Sequence, residues 1–367
     1  MRGDHSRPVI ERIDVAAYRI PTDKPEADGT YAWSSTTLVA VHVAAGGHRG
    51  FGYTYGSATA VPLIRDQLAA RVVGQDALAI EAIWNALVAE VRNVGRPGIA
   101  STAISAIDAS LWDLKAKLLG TPLAILLGAV RDAVPVYGSG GFTSYTTAEL
   151  CAQLAGWAEL GIPRVKMKIG ARPGDDVARV AAVRDAIGTK VSLMVDANGA
   201  YSRTDAVGKA HAFAEHQVSW FEEPVSSDDL EGLRFIREHE PSGMQIAAGE
   251  YGYDPIYFRR MLEAGAVDVL QADATRCLGI TGFLAAARLC QAFGVPLSAH
   301  TAPSLHAHPA CAVTPLVHVE YFHDHVRIEQ MLFDGFIAAR NGALQLDPMR
   351  AGIGVELKAP DAKRYAI

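Results

Sequence analysis

The stretch Arg164-Val-Lys-Met-Lys-Ile169 is a short apolar run that carries two lysines one residue apart. Successive side chains of a strand face opposite ways, so the pattern predicts Lys166 and Lys168 on one face and Met167 on the other. Two ammonium groups on the inward face of a buried strand are costly unless a functional site uses them. We therefore expect this strand to contribute to a site where chemistry takes place.

Acidic or histidine residues end the predicted strands that follow. They recur at intervals of about 20 to 28 residues, the size of one βα unit in a (β/α)8 barrel. Side chains at the C-terminal ends of barrel strands converge on one mouth, so we expect these residues to meet there. They are Asp196, Glu222, Glu250, Asp273, His300 and Glu320.

The chain around these residues alternates strands and helices. Counted from Val134–Tyr137, eight short apolar strands alternate with helical segments. Short connections between them indicate a parallel sheet, and eight strands indicate a barrel. The 367 residues are enough for one barrel of about 250 residues and a smaller domain. We expect the barrel to occupy residues 128–334.

The first 127 residues predict a separate α+β domain, with strands before helices. Residues past about 335 return to loop and short strand pieces, and we expect them to pack on this domain and complete it. The polar, turn-rich segment 21–33 predicts a long loop, and long loops are often functional. The other predicted elements are strands at 9–20 and 37–45 and helices at 59–95 and 101–119.

Asp196, Glu222 and Glu250 end three consecutive predicted strands. Three carboxylates cannot all stay ionised in a small site unless a cation lies between them. Three hard oxygen ligands, with positions left for water and substrate, suit Mg²⁺. A single acid is more often a solvated loop residue or a helix N-cap. Three acids at barrel spacing, after a strand with two lysines, favour one Mg²⁺ per active site.

The two lysines and the histidine are candidate proton-transfer groups. Nearby positive charge lowers the pKa of an ammonium group, so Lys166 or Lys168 can be a neutral base near pH 7. Salt bridges of the lysines to the same acids are the alternative. A hydrogen bond from the ring N–H of His300 to Asp273 would fix the tautomer of His300 and raise its basicity. For His300 alone, a structural role in the core is the alternative.

Six motifs follow the predicted strands: Lys166-x-Lys168, Val-Asp196-Ala-Asn198, Phe-Glu222-Glu-Pro, Ala-Gly-Glu250, Gln-Ala-Asp273-Ala-Thr-Arg and Ser-Ala-His300. With the helix Ala103–Lys117, they resemble the mandelate racemase subgroup of the enolase superfamily (the mandelate racemase/muconate lactonizing enzyme family). The resemblance covers most of the chain. It implies a modified TIM barrel, (β/α)7β, under an N-terminal α+β capping domain.

The resemblance also implies a role for each site residue. The three acids would bind Mg²⁺, Lys168 would be the base on one face of the substrate, and the Asp273–His300 dyad would act on the other. Glu320 would hydrogen-bond to the substrate carboxylate. The shared reaction is abstraction of the proton α to a carboxylate, with Mg²⁺ and Lys166 stabilising the enediolate. A Lys or His base with Mg²⁺ is an established feature of this superfamily.

The resemblance leaves two reactions open. The first is dehydration of a sugar acid to a 2-keto-3-deoxy acid, in which protonated His300 donates to the departing 3-hydroxyl. The second is racemisation or epimerisation of a 2-hydroxy acid. Polar residues in the predicted loop favour the first, namely Asp23, Lys24, Glu26 and Asp28. An apolar pocket of Tyr31, Trp33, Tyr53 and Tyr55 would favour the second. The residues expected to contact substrate are Lys166, Asn198, Glu320, Tyr31, Trp33 and Tyr55.

One motif departs from the family pattern. The family usually shows paired glycines after the dyad aspartate, where this chain has Cys277-Leu278-Gly279. We expect a slightly altered loop at this position, and the resemblance does not fix its substrate contacts.

Other classes of protein fit less well. A metal hydrolase of the amidohydrolase type needs a His-x-His at the end of the first barrel strand, and Val134–Gly141 contains no histidine. The pair His306-x-His308 falls late and is expected to serve packing or to contact solvent. A non-catalytic binding protein on the same scaffold would not need the lysines, the three acids and the Asp273–His300 dyad. The presence of the complete set in this chain argues against that class.

Composition limits partners and compartment. A net charge of −6 gives no basic surface for nucleic acid, and no run reaches the 18 apolar residues of a membrane span. The first residues lack the apolar core of a signal peptide. The four cysteines form no CxxC pair, which favours a reducing compartment. We expect a cytoplasmic enzyme for a small carboxylate substrate and a homo-oligomer, from dimer to octamer.

Overall fold

A computed structural model describes residues 7–367 and shows two sheets of different kinds. One is a three-stranded antiparallel sheet, and the other is a parallel barrel. Residues 1–6 lie outside the described residues, and so does the expectation about a signal peptide that rests on them. Within residues 7–367, no helix is both long enough and apolar enough to cross a membrane.

The antiparallel sheet begins the chain and packs against a long helix. Its first two strands form a hairpin, and the third pairs with the second. Its elements are β1 (Ile10–Ala27), β2 (Ala32–Ala45), β3 (His48–Tyr55), α1 (Ala60–Leu63), α2 (Ile80–Glu90), α3 (Ile99–Leu118) and α4 (Leu123–Leu126).

Helix α3, predicted over residues 101–119, carries an apolar stripe in which Ile104, Ile107 and Leu111 are fully buried. The helix crosses β3 very closely. A Cβ on Gly52 would lie 2.3 Å from the backbone oxygen of Ala106, so only glycine allows this approach. The helix therefore fixes the sheet that carries the hairpin.

The predicted loop over residues 21–33 is wrong. β1 continues to Ala27 and β2 starts at Ala32, with a short turn between them. Glu26 pairs with Trp33 in antiparallel register, after an irregularity that follows Pro21. The backbone hydrogen bonds of the hairpin override the turn-rich composition.

The single helix predicted over residues 59–95 is also wrong. The backbone N–H of Gly74 donates to Ile10 O at 2.9 Å, and that of Ile10 donates to Gln75 O at 2.9 Å. This pairing with the first strand interrupts the helix, because the same backbone groups cannot also make helical bonds. Besides α1 and α2, the stretch forms a π-helical turn at Ile64–Leu68 and 3₁₀ turns at Ala69–Arg71 and Val91–Asn93.

The barrel has eight parallel strands in sequence order, and the last strand pairs with the first. Seven helices connect consecutive strands, which confirms the expected (β/α)7β barrel with an N-terminal cap. Its elements are β4 (Ala133–Gly140), α5 (Thr147–Glu159), β5 (Arg164–Lys168), α6 (Asp176–Ile187), β6 (Ser192–Asp196), α7 (Arg203–Ala214), β7 (Val218–Glu222), α8 (Leu230–Arg237), β8 (Gln245–Ala248), α9 (Pro255–Glu263), β9 (Val269–Ala272), α10 (Gly279–Phe293), β10 (Leu297–Ala299), α11 (Pro303–Ala312) and β11 (Leu316–Phe322).

The C-terminal segment contacts both the barrel and the first domain. The backbone N–H of Ile353 donates to Asp113 of α3 at 2.7 Å. One short strand instead pairs with β4 of the barrel, which the sequence did not predict. We therefore propose two domains. The first comprises residues 1–127 and is completed by residues 335–367, and the second is the barrel, residues 128–334. The elements are α12 (His323–Leu332), β12 (Phe333–Asp334), β13 (Ala343–Gln345), β14 (Glu356–Leu357), α13 (Ala359–Ala362) and a 3₁₀ turn at Lys363–Tyr365.

Candidate active site

Strand register brings Lys168 and the acids together at the barrel mouth. Lys168 on β5 lies opposite Asp196 on β6, and Asp196 lies opposite Glu222 on β7. Glu250 follows β8 after Gly249, whose φ is 134°. A Cβ on Gly249 would lie 2.1 Å from a backbone oxygen of β9, so glycine is needed to turn the chain there. Local backbone geometry thus places all three acids on one side of the mouth.

The three acids form a compact and buried set. Each is at most 3% exposed, and their carboxylate oxygens lie within 4.8 Å of one another. Oε2 of Glu250 lies 3.2 Å from Nε2 of His300 and has no partner in hydrogen-bond geometry among residues 7–367. Buried, anionic, hard oxygen atoms are the ligands that Mg²⁺ prefers. Asp196, Glu222 and Glu250 therefore fit one Mg²⁺.

Both lysines are paired with acids of the site. Nζ of Lys166 contacts Glu222 and lies 2.9 Å from Oε1 of Glu320. Nζ of Lys168 contacts Asp196. Burial opposes the ammonium charge, but the carboxylates outweigh it and raise the pKa of both lysines. The salt-bridge alternative describes these pairs, and the lowered lysine pKa that the charge of a bound metal would cause stays a prediction.

The dyad is formed by two neighbouring strand ends. Nδ1 of His300 lies 2.8 Å from Oδ2 of Asp273, and Oδ1 of Asp273 accepts from the backbone N–H of Thr275 at 2.7 Å. On its other side, Nε2 of His300 faces Glu250 and Glu320, the latter at 3.6 Å. Burial lowers the pKa of His300, but these carboxylates outweigh it and raise the pKa to about 10.

A cavity of about 340 Å³ opens above these groups, between the barrel and the hairpin. Lys166, Asp196 and Glu222 do not line it and lie beneath its floor. The barrel contributes the floor, and the first domain contributes the opposite wall. The main floor residues are Lys168, Asn198, Glu250, Asp273, His300 and Glu320, and the wall residues are Asp28, Tyr31, Trp33, Ser35, Thr36, Tyr55 and Gly56.

The expected substrate-contacting residues of the first domain line this cavity. Tyr31 lies at the rim, 70% exposed, and stacks on Trp33 with ring centres 6.2 Å apart. Tyr55 stacks on His325 at 3.5 Å. On the barrel side, Asn198 has a buried Oδ1 without a hydrogen-bond partner among the described residues. That atom is available to accept from a substrate hydroxyl.

Several residues that bear on the choice between the two reactions do not line the cavity. Of the four polar residues chosen between positions 21 and 33, only Asp28 lines the cavity. Asp23 and Lys24 make ion pairs outside it. Glu26 is buried behind the wall, where burial, and then the charge of a neighbouring aspartate, raise its pKa to about 8. Tyr53 lies in the interior, where its hydroxyl donates to a buried glutamate at 2.7 Å.

Sequence reasoning missed Arg276, Tyr251 and Thr36. Nη1 of Arg276 lies 3.3 Å from the backbone oxygen of Glu250 and 3.4 Å from its Oε1, and the guanidinium lies 5.2 Å from the centre of the Tyr251 ring. Arg276 is the last residue of the motif Gln-Ala-Asp273-Ala-Thr-Arg, and its position there could have identified it as a site residue. Thr36 had no such signal, because its place depends on the hairpin.

The departure from the family pattern does not reach the cavity. Leu278 has φ 68°, in the left-handed region that glycine favours, and it is 1% exposed. Its side chain packs in the core of the first domain, and its backbone oxygen accepts from Trp84 Nε1 at 2.8 Å. Cys277 and Leu278 therefore do not line the cavity.

Comparisons with known families agree with this architecture. Residues 13–128 match the mandelate racemase / muconate lactonizing enzyme N-terminal domain, and residues 148–362 match the enolase C-terminal domain-like family. The chain belongs to the mandelate racemase/muconate lactonizing enzyme family of the enolase superfamily.

Two characterised relatives span nearly the whole chain. The 3,6-anhydro-alpha-L-galactonate cycloisomerase of Streptomyces coelicolor is 33% identical, over 98% of this chain and 100% of its own length. The L-talarate/galactarate dehydratase of Salmonella typhimurium is 32% identical, over 97% of this chain and 90% of its own length. The homologues are thus cycloisomerases and dehydratases of sugar acids.

Solved structures show the same fold. A mandelate racemase/muconate lactonizing enzyme-like protein from Rubrobacter xylanophilus has a TM-score of 0.96 and 52% identity, over 98% of this chain and all of that one. A racemase from Streptomyces coelicolor with bound magnesium has a TM-score of 0.92 and 32% identity, with the same coverage. Mg²⁺ is the cofactor of this site, and the buried acid triad is typical of its binding site.

Proposed function

We propose that this protein dehydrates a sugar acid to a 2-keto-3-deoxy acid, beginning with abstraction of the proton α to the carboxylate. The placement of Lys168 and the Asp273–His300 dyad carries the proposal. Lys168 ends β5 and His300 follows β10, while the strands of the three acids lie between them on one side of the barrel. A substrate carbon held above the acids has a lysine on one face and a histidine on the other.

The floor of the cavity would bind the substrate carboxylate. When bound, Mg²⁺ supplies positive charge that stabilises negative charge moving onto the carboxylate oxygens. Lys166 lies beneath the floor and adds a second positive charge there. Glu320, 2.9 Å from Lys166, would share a proton with the substrate carboxylate, because two adjacent carboxylates favour one protonated form.

The two faces would then divide the proton transfers. In its neutral form, for which the ion pair with Asp196 must be broken, Nζ of Lys168 takes the proton from C2, and an enediolate forms. Nε2 of protonated His300 gives its proton to the 3-hydroxyl, the C3–O bond breaks, and water leaves. The resulting enol becomes the 2-keto-3-deoxy acid. Asp273 holds the imidazole through the 2.8 Å hydrogen bond and keeps Nε2 directed at the substrate.

A panel assay tests this function. The Mg²⁺-loaded protein is incubated with sugar acids, and semicarbazide traps any 2-keto product. We expect semicarbazone from at least one acid, no product in EDTA, and no product with Lys168→Ala. Epimerised acids without any 2-keto product would contradict dehydration.

A racemase or epimerase of a 2-hydroxy acid is the second candidate. Three aromatic side chains, Tyr31, Trp33 and Tyr55, line the wall of the cavity and would suit an apolar substituent. Opposed bases on the two faces also permit inversion at C2. Proton NMR of the same incubations detects the second epimer directly.

We also propose a cytoplasmic location and a homo-oligomer of two to eight subunits. All four cysteines are free thiols, which is typical of a reducing compartment. Leu119, Ile125 and Val130 are more than half exposed and lie close together in the chain, as at many subunit interfaces. Light scattering of the purified protein measures its mass, and a monomer would contradict the oligomer.

A further inference from the structure

We propose that the substrate carries a single carboxylate, and that Asp28 disfavours acids with a second one. The inference rests on the proposed function, since it assigns the substrate class of the same site. The reacting carboxylate and C2 must lie at the floor, where the catalytic groups are. The remainder of the substrate therefore meets the wall that the first domain provides.

This wall contributes no positive charge to the cavity. Its described residues, given above, are one carboxylate, aromatic rings, hydroxyl groups and a glycine. A second carboxylate on the substrate would need a cation there, because proteins bind buried carboxylates with arginine or lysine. Among the described residues that line the cavity, the arginine and lysine side chains are Arg276 and Lys168, and both belong to the barrel.

The lysine and the arginine are already engaged, and His300 faces Glu250 and Glu320 on the floor. Lys168 is paired with Asp196. Arg276 lies 3.4 Å from Oε1 of Glu250 and 3.6 Å from Oδ2 of Asp273, and its stacking on a tyrosine ring fixes it in that position. Both cations thus balance acids of the floor, where the reacting carboxylate binds.

His325, the remaining basic side chain near the wall, is held as a neutral ring. Its Nδ1 accepts from the backbone N–H of Ala302 at 3.3 Å, which a protonated nitrogen cannot do. Its ring lies flat against Tyr55, and burial lowers its pKa to about 3. His325 can therefore donate to a hydroxyl through Nε2 but supplies no charge.

Asp28 is fixed in place by its own turn. Its Oδ1 accepts from the backbone N–H groups of Thr30 at 2.6 Å and Tyr31 at 2.7 Å. The hydroxyl of Thr143, from the barrel, donates to the backbone oxygen of Asp28 at 2.7 Å. Oδ2 makes no hydrogen bond with a described residue and is left to accept from a ligand. A substrate hydroxyl satisfies it, whereas a carboxylate is repelled.

The groups behind the wall do not offset the charge of Asp28. Asp324 accepts from the Thr36 hydroxyl and is compensated by Arg327 at 2.6 Å. Glu26 is buried nearby, and burial raises its pKa to about 8, so it is largely uncharged near neutral pH. Asp28 is therefore the charged group of the wall that a second carboxylate on the substrate would meet.

Matched pairs of acids test the inference. D-gluconate and D-glucarate, and likewise D-galactonate and galactarate, differ only in a terminal hydroxymethyl or carboxylate. We expect kcat/KM for the monoacid to exceed that for the diacid by at least about tenfold in each pair that reacts, as a like charge near Asp28 implies. A diacid used as well as its monoacid would overturn the inference.

Asp28→Asn is the matched variant, because its Oδ1 still accepts the two backbone N–H groups of the turn while the charge is lost. We expect the monoacid-to-diacid ratio to fall by about tenfold. Asp23→Asn, on the same hairpin but outside the cavity, is the control and should leave the ratio unchanged. An unchanged ratio in Asp28→Asn would show that Asp28 does not set the preference.

The readout separates this inference from the proposed reaction. Exchange of the C2 proton in D₂O requires proton abstraction only. Its rate therefore compares the monoacid with the diacid of each pair even where no 2-keto acid forms. Should neither acid of a pair exchange, calorimetry with the Mg²⁺-loaded protein compares their binding. Tighter binding of the diacid would then overturn the inference, while missing 2-keto product alone would overturn dehydration.

Discussion

The barrel mouth and the hairpin above it hold their charges in different ways. In the mouth, Lys166 lies within 4 Å of three buried carboxylates, so positive and negative groups compensate one another. In the hairpin, Glu26 is just as buried but has only a neutral donor, Trp33, at 2.8 Å. The compensated charges serve chemistry at the floor. In the hairpin, buried Glu26 affects the stability of the wall, and we propose that Asp28 limits the charge that a substrate can carry.

Glu222→Gln should have the largest effect. It removes one charge from the metal site, while Lys166 keeps Glu320 and Asp196 as partners. We expect Mg²⁺ affinity to fall strongly and kcat/KM to fall by about 100-fold or more, because outer-shell changes alone cost 10- to 100-fold. Calorimetry of Mg²⁺ binding and turnover measure both, and circular dichroism checks the fold. Wild-type turnover that persists in EDTA would contradict the metal assignment.

Trp33→Phe should have an intermediate effect on the hairpin side. It keeps an aromatic ring at the wall but removes the donor to Glu26, which leaves a buried carboxyl unsatisfied. We expect a loss of about 1–3 kcal/mol in the free energy of unfolding and a rise in KM larger than any fall in kcat. Tyr31→Phe at the exposed rim is the control, and an equal loss of stability there would contradict this account.

Glu26→Gln should change the pH dependence of stability. The folded pKa of Glu26 is about 8, above its ordinary 4.5, so the folded state binds more protons than the unfolded state between these values. Stability from this group is therefore present below pH 4.5 and is lost as pH rises toward 8. We expect the variant to lose less stability than wild type between pH 5 and pH 8, measured by urea unfolding. Parallel curves for the two proteins would refute the buried, uncompensated state of Glu26.

Lys24→Ala should have the smallest effect. Its ammonium group pairs with Glu149 on the surface, and such exposed pairs contribute little. We expect kcat, KM and the unfolding midpoint to stay within error of wild type. A tenfold loss in kcat/KM would contradict this account and indicate that Lys24 contacts the substrate.

The same contrast explains what the sequence could predict. The strand-end residues follow from local properties, namely strand periodicity and the length of a βα unit, so Asp196, Glu222 and His300 lie at the mouth as expected. The hairpin depends on contacts between distant segments, such as Thr36 with Asp324 and Asp28 with Thr143. Its polar composition predicts a loop, and no local pattern shows which of its side chains reach the cavity.

Ion pairing in the mouth is a further limit of local reasoning. The spacing predicts that Lys168 and Asp196 are close, but not that they pair directly and raise the lysine pKa. Leu278 is a similar case. No local pattern predicts that this residue adopts a left-handed backbone while its side chain packs in the core of the first domain.

The central claim is that Lys168 and His300 act on opposite faces of the α-carbon. Proton NMR in D₂O, with Lys168→Ala and His300→Asn and both C2 epimers of an active acid, tests it most directly. We expect His300→Asn to lose dehydration by a factor of ~10²–10⁴ but to exchange the C2 proton of the epimer that faces Lys168. Lys168→Ala should exchange only the other epimer. Loss of exchange with both epimers in both variants, or full dehydration by His300→Asn, would contradict the two-face arrangement.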